Sequence, residues 1–407
     1  MTFRHVRAFR ACSALRPLLL SAGVMIAASS SAIAQEASSP SGSVRPLGLR
    51  AGAFFLYPEL EADAIVTDNV NQTKHGRKAD IGERTRIGLR LNSNWSRHAL
   101  SFSLTGQDIV WSRIGLDELT LSSTAALRLD VRRNLKMTLR AGYDLGHEKD
   151  SPKRLIHTLT GAVETEFGAG RLRPALTLGV TRVLYDDRGL EGRLRNPSDE
   201  DYIEPSAALR LEWDTGAMIR PYVEAGGDMR LHDRSRDSSG NKRDTHGMYG
   251  EIGLVFDDAV WSGRIGLRGA IRHYEDDAYA DIRGLGLNAA LAWRPTRLTT
   301  VDFSAGFAID ETTTAGARAV KRSTANIRIT HALRRNLEVG GNFGIEHDDY
   351  VGSALRETVL RTGLDASLSF YDGLALIAAW SLERQFSTEK GGDYLENRFT
   401  LGLRWQP

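Results

Sequence analysis

From about Leu60 to its end the chain alternates apolar and polar residues with a period of two. Successive side chains of a β-strand point to opposite faces, so this alternation means strands with one apolar and one polar surface. Between Thr85 and Ser93, Ile87, Leu89 and Leu91 fall on one side, and Arg86, Arg90 and Asn92 on the other. From Leu119 to Val131 the pattern repeats, with Leu121, Ala125, Leu127 and Leu129 opposed by Thr120, Ser122, Thr124, Arg128 and Asp130. Leu135, Met137, Leu139, Ala141, Tyr143 and Leu145 continue it against Lys136, Thr138, Arg140, Gly142 and Asp144. No long stretch keeps a 3.6-residue period. No repeated runs of about 18 apolar residues occur, which excludes a polytopic helical membrane protein. A hydrophobic content of 41% argues against disorder.

The segments between strands are of two alternating kinds. Eight are tight, such as Arg132 to Asn134, Gly168 to Arg171 and Tyr371 to Gly373. Nine are longer and more polar, such as Asn69 to Ala79, Glu148 to Arg154, Asp186 to Asp201 and Asp233 to Thr245. Seventeen connections mean eighteen strands, with sixteen the alternative if two weak strands are misread. Residues 59–405 leave about nineteen residues per strand and connection, and a membrane-spanning strand takes about 9–11 of them. Even strand numbers, short periplasmic turns and longer extracellular loops define bacterial outer-membrane barrels. The expected fold is therefore all-β, a transmembrane antiparallel β-barrel of about 18 strands over residues 59–407.

The first 34 residues read as a separate segment. Arg4, Arg7, Arg10 and Arg16 precede an apolar stretch from Leu18 to Ala28, and Ala32-Ile33-Ala34 is followed by Gln35. This is the order of a secretory signal peptide, with cleavage expected between Ala34 and Gln35 and Ala32 as the second small residue of the site. Its removal takes Cys12, the only cysteine, and four of the 53 basic residues, leaving 49 against 51 acidic ones. That balance gives no electrostatic motive for nucleic-acid binding. Residues 35–58, Ser/Pro/Gly-rich at first, are expected to form a flexible periplasmic lead-in. The expected destination is the outer membrane, after secretion across the inner membrane.

A membrane barrel turns its apolar face to lipid and its polar face inward. Arg84, Arg86, Arg90, Arg128, Arg140, Glu164, Glu166, Arg210, Glu212, Arg220, Glu224, Asp228, Arg230, Arg264, Arg268, Arg272, Arg328, Arg361 and Asp365 all fall on the polar face. An Arg or Lys facing lipid at mid-bilayer costs about 2–4 kcal/mol, so these residues are expected to line a lumen. Eighteen strands are wide enough for that lumen to hold water. If Arg264, Arg268 and Arg272 converge with Arg210, Arg220 and Arg230, they would favour anionic solutes. The competing arrangement is a lattice of cross-strand Arg–Glu pairs. Aromatic residues sort by end: Trp95, Trp213, Trp261, Trp293 and Trp405 lie by tight turns or the terminus, and Tyr185, Tyr202, Tyr274, Tyr279, Tyr350 and Tyr394 by longer loops. Both sets are expected to form interfacial girdles.

The chain carries no H-E-x-x-H, no G-x-S-x-G, no P-loop and no paired-cysteine metal spacing, so neither enzyme, cofactor nor metal site is expected. The nearest enzymatic candidates are His347-Asp348-Asp349 and His232-Asp233 at loop-side strand ends, where some outer-membrane proteases carry Asp and His. Acidic clusters at Asp186-Asp187, Asp199-Glu200-Asp201, Asp276-Asp277 and Asp348-Asp349 read either as solvated charge or as oxygen ligands for divalent cations bridging to lipopolysaccharide phosphates.

At Phe54-Phe55-Leu56-Tyr57-Pro58, Thr67-Asp68-Asn69-Val70 and Trp95-Ser96-Arg97-His98 the chain resembles a family of outer-membrane β-barrel porins often associated with exopolysaccharide production. The resemblance extends over residues 50–407, its distinct motifs lying near the start. It implies a conduit for export of an exopolysaccharide, and with it a periplasmic polysaccharide-export partner. A general diffusion porin for small solutes and a non-conducting structural or receptor barrel are the alternatives. Lipid, lipopolysaccharide and the barrel-assembly machinery are the other expected partners. Phe399, Leu401, Leu403 and Trp405 supply the terminal aromatic row that such machinery reads, although Gln406-Pro407 extends past it.

Overall fold

The computed structural model describes residues 48–113, 118–148, 151–186, 200–236, 240, 242–276, 280–312, 314, 317–371 and 373–407, with side-chain detail except at 148 and 151–153. Ala32, Ala34, Gln35 and Tyr279 lie outside them. The alternating segments form a short β1 (Leu49–Ala51) and then eighteen long strands. These are β2 (Phe54–Thr67), β3 (Asp80–Ser93), β4 (Ala99–Trp111), β5 (Thr120–Arg132), β6 (Leu135–Glu148) and β7 (Ser151–Phe167). They continue through β8 (Leu172–Asp186), β9 (Tyr202–Trp213), β10 (Ile219–His232), β11 (Thr245–Asp257), β12 (Trp261–Tyr274) and β13 (Ile282–Thr296). The last six are β14 (Thr299–Asp310), β15 (Ala319–Arg334), β16 (Leu337–Val351), β17 (Arg356–Tyr371), β18 (Leu374–Ser387) and β19 (Tyr394–Trp405). No helix occurs among the described residues.

Each long strand pairs antiparallel with its chain neighbours, and β19 closes on β2 from Trp405↔Leu60 to Arg398↔Thr67. Closure removes the sheet edge that lipid could not satisfy. The strand count is eighteen. The boundary at residue 59 needs correction, because β2 already begins at Phe54. The aromatic-plus-Pro segment is itself ladder, with Phe54 opposite Ser93 and Pro58 opposite Leu89. Below Leu60 the other edge of β2 has no β19 partner, and β1 takes it up through Leu49↔Leu56 and Ala51↔Phe54. Proline is tolerated here because one side of the strand lies beyond the closing ladder.

The turn side and loop side differ as their sequences suggest. Only residues 133–134, 297–298, 335–336 and 372–373 separate the strands at four of the tight turns. Gly373 adopts φ +75° at one of them, where Gln406 N–H donates to Gly373 O at 2.6 Å and anchors the end of the chain. On the other side, residues 68–79 and 233–244 form long connections, but 149–150 and 352–355 are short. There the ladders of β6 with β7 and of β16 with β17 run on beyond the expected strand ends, to Glu148↔Ser151 and Asp349↔Arg356.

One ladder is incomplete. Pairing between β13 and β14 runs from Thr296↔Thr299 only to Ala289↔Ala305. Beyond that point β14 stays with β15 but leaves β13 and crosses its inner face to reach β12. Phe307 and Ile309 pack there against Ile282 and Tyr274. The Phe307 ring lies over Gly284 and Gly286, where any Cβ would overlap it. Asn288 replaces part of the ladder, its Oδ1 accepting the Phe307 N–H at 3.1 Å. The wall is thus locally two layers thick, with β13 outside and β14 inside.

Candidate conduit through the barrel

Alternation assigns each strand an outer apolar row and an inner polar one. On β19, Phe399, Leu401, Leu403 and Trp405 are exposed outward, while Glu396 is buried on the inner row. On β12 the inner row is Arg264, Arg268, Arg272 and Tyr274, and Leu267 is exposed on the outer row. Exposed leucines, isoleucines and valines elsewhere on the outside form the surface that lipid requires.

The inner row is dense with ion pairs, most of them between strands one or two apart. Arg84 bonds Glu61 and Asp63 at 3.0 and 2.6 Å, and Arg86 reaches Glu61 and Gln107. Arg140 bonds Glu164 at 2.7 Å; Glu164 in turn takes Arg210, which also holds Glu212 at 2.9 Å and approaches Glu224 at 3.7 Å. Arg220 joins Glu212 and Asp257. Arg264 and Arg268 share Glu224, and Arg268 bonds Glu251 at 2.7 Å. Arg272 bonds Asp228 at 2.6 Å, and Arg230 bonds Glu204 at 2.6 Å. Arg361 bridges Glu346 and Glu383, Arg328 pairs with Asp365 at 3.0 Å, and Arg128 lies 3.5 Å from Asp130. Glu166 lines the main cavity near the turn side, and Arg90 lines a smaller one beside Glu59. Arg264, Arg268 and Arg272 with Arg210, Arg220 and Arg230 are therefore a lattice of cross-strand pairs.

Ten further charges join this lattice beyond the expected lumen-lining set. Glu61, Asp63, Glu204, Glu251, Arg322, Glu346, Asp348, Glu383, Glu396 and Arg398 occupy inner positions as well. Arg322 bonds Asp348 twice at 2.9 Å, and Arg398 bonds Glu396 at 2.6 Å. Their sequence signal is parity. All but Glu383 lie an even number of residues from another inner charge on the same strand, as Glu204 does from Arg210.

The tyrosine girdle is corrected by the same rule. Tyr202, Tyr274, Tyr350 and Tyr394 are buried on the inner face, and Tyr185 lines the cavity. They face inward because Tyr274 shares parity with Arg272, Tyr202 with Glu204, Tyr350 with Asp348 and Tyr394 with Glu396. Arg230 stacks over Tyr202 at 4.6 Å, Arg154 over Tyr185 at 4.5 Å and Arg268 over Tyr249 at 4.0 Å. The tyrosines form an inner collar toward the loop side. Trp213, Trp293 and Trp405 stand on the outer row at the turn side, Trp95 is exposed in the adjoining turn, and Trp261 stacks on Trp293 with centroids 5.5 Å apart.

The main cavity has a volume of about 1780 Å³. Its lining reaches from Asn134, Gly168 and Gly170 in the turns to Arg243, Thr312 and Thr314 in the loops. The inner layer formed by β14 contributes Ala308 and Asp310 and narrows the lumen on that side. Both charge signs line the cavity throughout.

The enzymatic candidates do not assemble. His232 points inward, with Nδ1 3.2 Å from Asp244 and Nε2 3.1 Å from Glu311, whereas Asp233 bonds Arg182. His347 is exposed outward beside Thr358, whereas Asp348 faces Arg322 inside. In each motif His and the adjacent Asp are on opposite sides of the wall. At the mouth, burial acts to raise the Glu311 carboxyl, but the His232 hydrogen bond and the Arg230 charge outweigh it and hold it at about 2. The Arg182 hydrogen bond likewise holds Asp233 below the usual carboxylate range. Among the described residues no group of three or more His, Cys, Asp or Glu could hold a metal ion.

Solved structures similar to the chain include three proteins of Pseudomonas aeruginosa. OpdL of Pseudomonas aeruginosa is 14% identical with a TM-score of 0.45, over 88% of this chain and 99% of its own. OccK2 (OpdF) of the same organism, in complex with glucuronate, is 13% identical with a TM-score of 0.46, over 86% and 98%. OccK11 (OpdR), also from P. aeruginosa, is 14% identical with a TM-score of 0.44, over 90% and 99%. No curated protein matches the chain. Residues 43–407 match the family model described as "Putative beta-barrel porin 2", and the chain, an outer-membrane β-barrel porin, belongs to that family.

Proposed function

We propose that the barrel is a passive aqueous conduit whose cargo is a hydroxyl-rich saccharide chain exported across the outer membrane. The supporting observation is the continuous cavity whose lining includes both turn and loop residues. Its charges neutralise one another across strands, so the wall offers hydrogen bonds without a single-sign field. Such a lining suits neutral or mixed-charge hydrophilic solutes better than one class of ion. The inner tyrosine collar fits the same cargo, because aromatic faces and phenol hydroxyls together match the apolar and hydroxyl surfaces of a sugar ring. The association of similar porins with exopolysaccharide production points the same way. No enzymatic step belongs to this reading.

A deletion strain tests the cargo. Loss of surface polysaccharide, restored by the full-length chain, is expected. Normal secretion without the protein would leave a general diffusion porin as the better reading, since the same lining passes small hydrophilic solutes.

A further inference from the structure

The incomplete ladder leaves a seam on the lipid-facing surface. Above Ala289↔Ala305, β14 lies behind β13, so the β13 edge from Ile282 to Asn288 has no strand pairing on that side. The next strand on the outside is β15, reached across the tucked strand. Hydrocarbon cannot satisfy an unpaired strand edge, and closed barrels ordinarily have none. Something polar must meet this edge from the membrane.

The chemistry at the top of the seam identifies it. Arg283 on β13 and Lys321 on β15 flank the opening, and both occupy outer-row positions. Within the lumen the arginines are held in cross-strand pairs. Arg283 and Lys321 have no ion pair or hydrogen bond with any described side chain. Ser323, one outer position below Lys321, is exposed. Below these polar groups the surface turns apolar, with Leu285 68% exposed, followed by Leu287, Ile327 and Ile329.

We propose that this seam binds a phosphorylated, acylated glycolipid of the outer leaflet. Arg283 and Lys321 take its phosphates, its hydroxyl and amide groups meet the β13 edge, and one acyl chain lies along Leu285 and Leu287. Two cations above an apolar strip match a lipid whose headgroup is anionic and whose tails are buried. A phosphate-bearing headgroup also supplies the acceptors that guanidinium and ammonium groups prefer. A second copy of the chain would fit the bare edge but would set Arg283 and Lys321 against their own kind.

Native mass spectrometry of the full chain, extracted in mild detergent and delipidated, tests the site. Added bis-phosphorylated lipid A is expected to give a one-to-one adduct. Arg283→Ala/Lys321→Ala should weaken that adduct by roughly tenfold or more, while Lys78→Ala, in a loop remote from the seam, should not. Ser323→Glu provides a second variant, which keeps both cations and should weaken the adduct by placing a carboxylate beside Lys321 on the same outer row. Heat-modifiable gel mobility reports whether each variant forms the barrel. Undiminished lipid binding by the folded variants, or equal binding of dephosphorylated lipid A, would overturn the proposal. A stable mass of two chains with no lipid would also overturn it, assigning the edge to self-association.

Discussion

Phe307 of β14 lies on Gly286 of β13, and the absence of a side chain at that glycine lets one strand of the barrel pass inside another. A Cβ at either Gly284 or Gly286 would overlap the Phe307 ring or its Cβ. The wall folds over itself here because Gly284, Gly286 and the Asn288 amide together replace a stretch of ladder.

Gly286→Val should therefore expel β14 from its place. The expected result is a lower unfolding temperature of the detergent-solubilised barrel and a changed single-channel conductance. Phe307→Ala empties a packed position and should cost about 3–5 kcal/mol. Gly250→Ala, where a Cβ meets nothing within 4 Å, should leave both readouts unchanged.

Arg210 connects Glu164, Glu212 and Glu224. Arg210→Met leaves three carboxylates without that guanidinium, and breaking such a buried network should destabilise by about 3–5 kcal/mol. The Arg328–Asp365 pair is more exposed, with 46% of the Arg328 side chain accessible. Arg328→Met should cost less than about 1 kcal/mol. Urea unfolding from lipid vesicles compares the two, and equal losses would contradict the lattice described here.

The loop-side mouth should respond to acid through Glu311. Its carboxyl is held at about 2 in the folded chain against an ordinary value of 4.5. A lowered folded value contributes stability above the unfolded value and loses it as pH falls through the folded one. The wild-type unfolding temperature should therefore drop between pH 5 and pH 2 by more than that of Glu311→Gln. Parallel curves would remove Glu311 from the account.

The outer tryptophans and the inner Trp111 give an optical test of facing. Trp111 is 3% exposed and lies within 5.6 Å of the Arg398 guanidinium. Single-tryptophan variants retaining Trp213 or Trp405 should be quenched by brominated lipid chains, and one retaining Trp111 should not. Equal quenching would show that the faces are misassigned.

What the sequence made legible was what period-two alternation and the spacing of turns and loops carry. The count of eighteen follows from the connections; the strands and the inner placement of Arg264, Arg268 and Arg272 follow from the alternation. Their pairing does not, because Arg268 meets Glu251 only through the register of β11 with β12. The tyrosines were legible but misread: nearness to a loop fixes height along a strand, while parity with Arg272 fixes the side on which Tyr274 stands. The tuck of β14 left no periodic trace. Gly284 and Gly286 look like ordinary small residues until Phe307 is seen between the layers.

Purified protein in planar lipid bilayers tests the central claim, an open conduit with an internally neutralised wall. Discrete, ohmic conductance steps with only weak preference between potassium and chloride are predicted. A folded barrel that inserts into the bilayer and passes no current would contradict it.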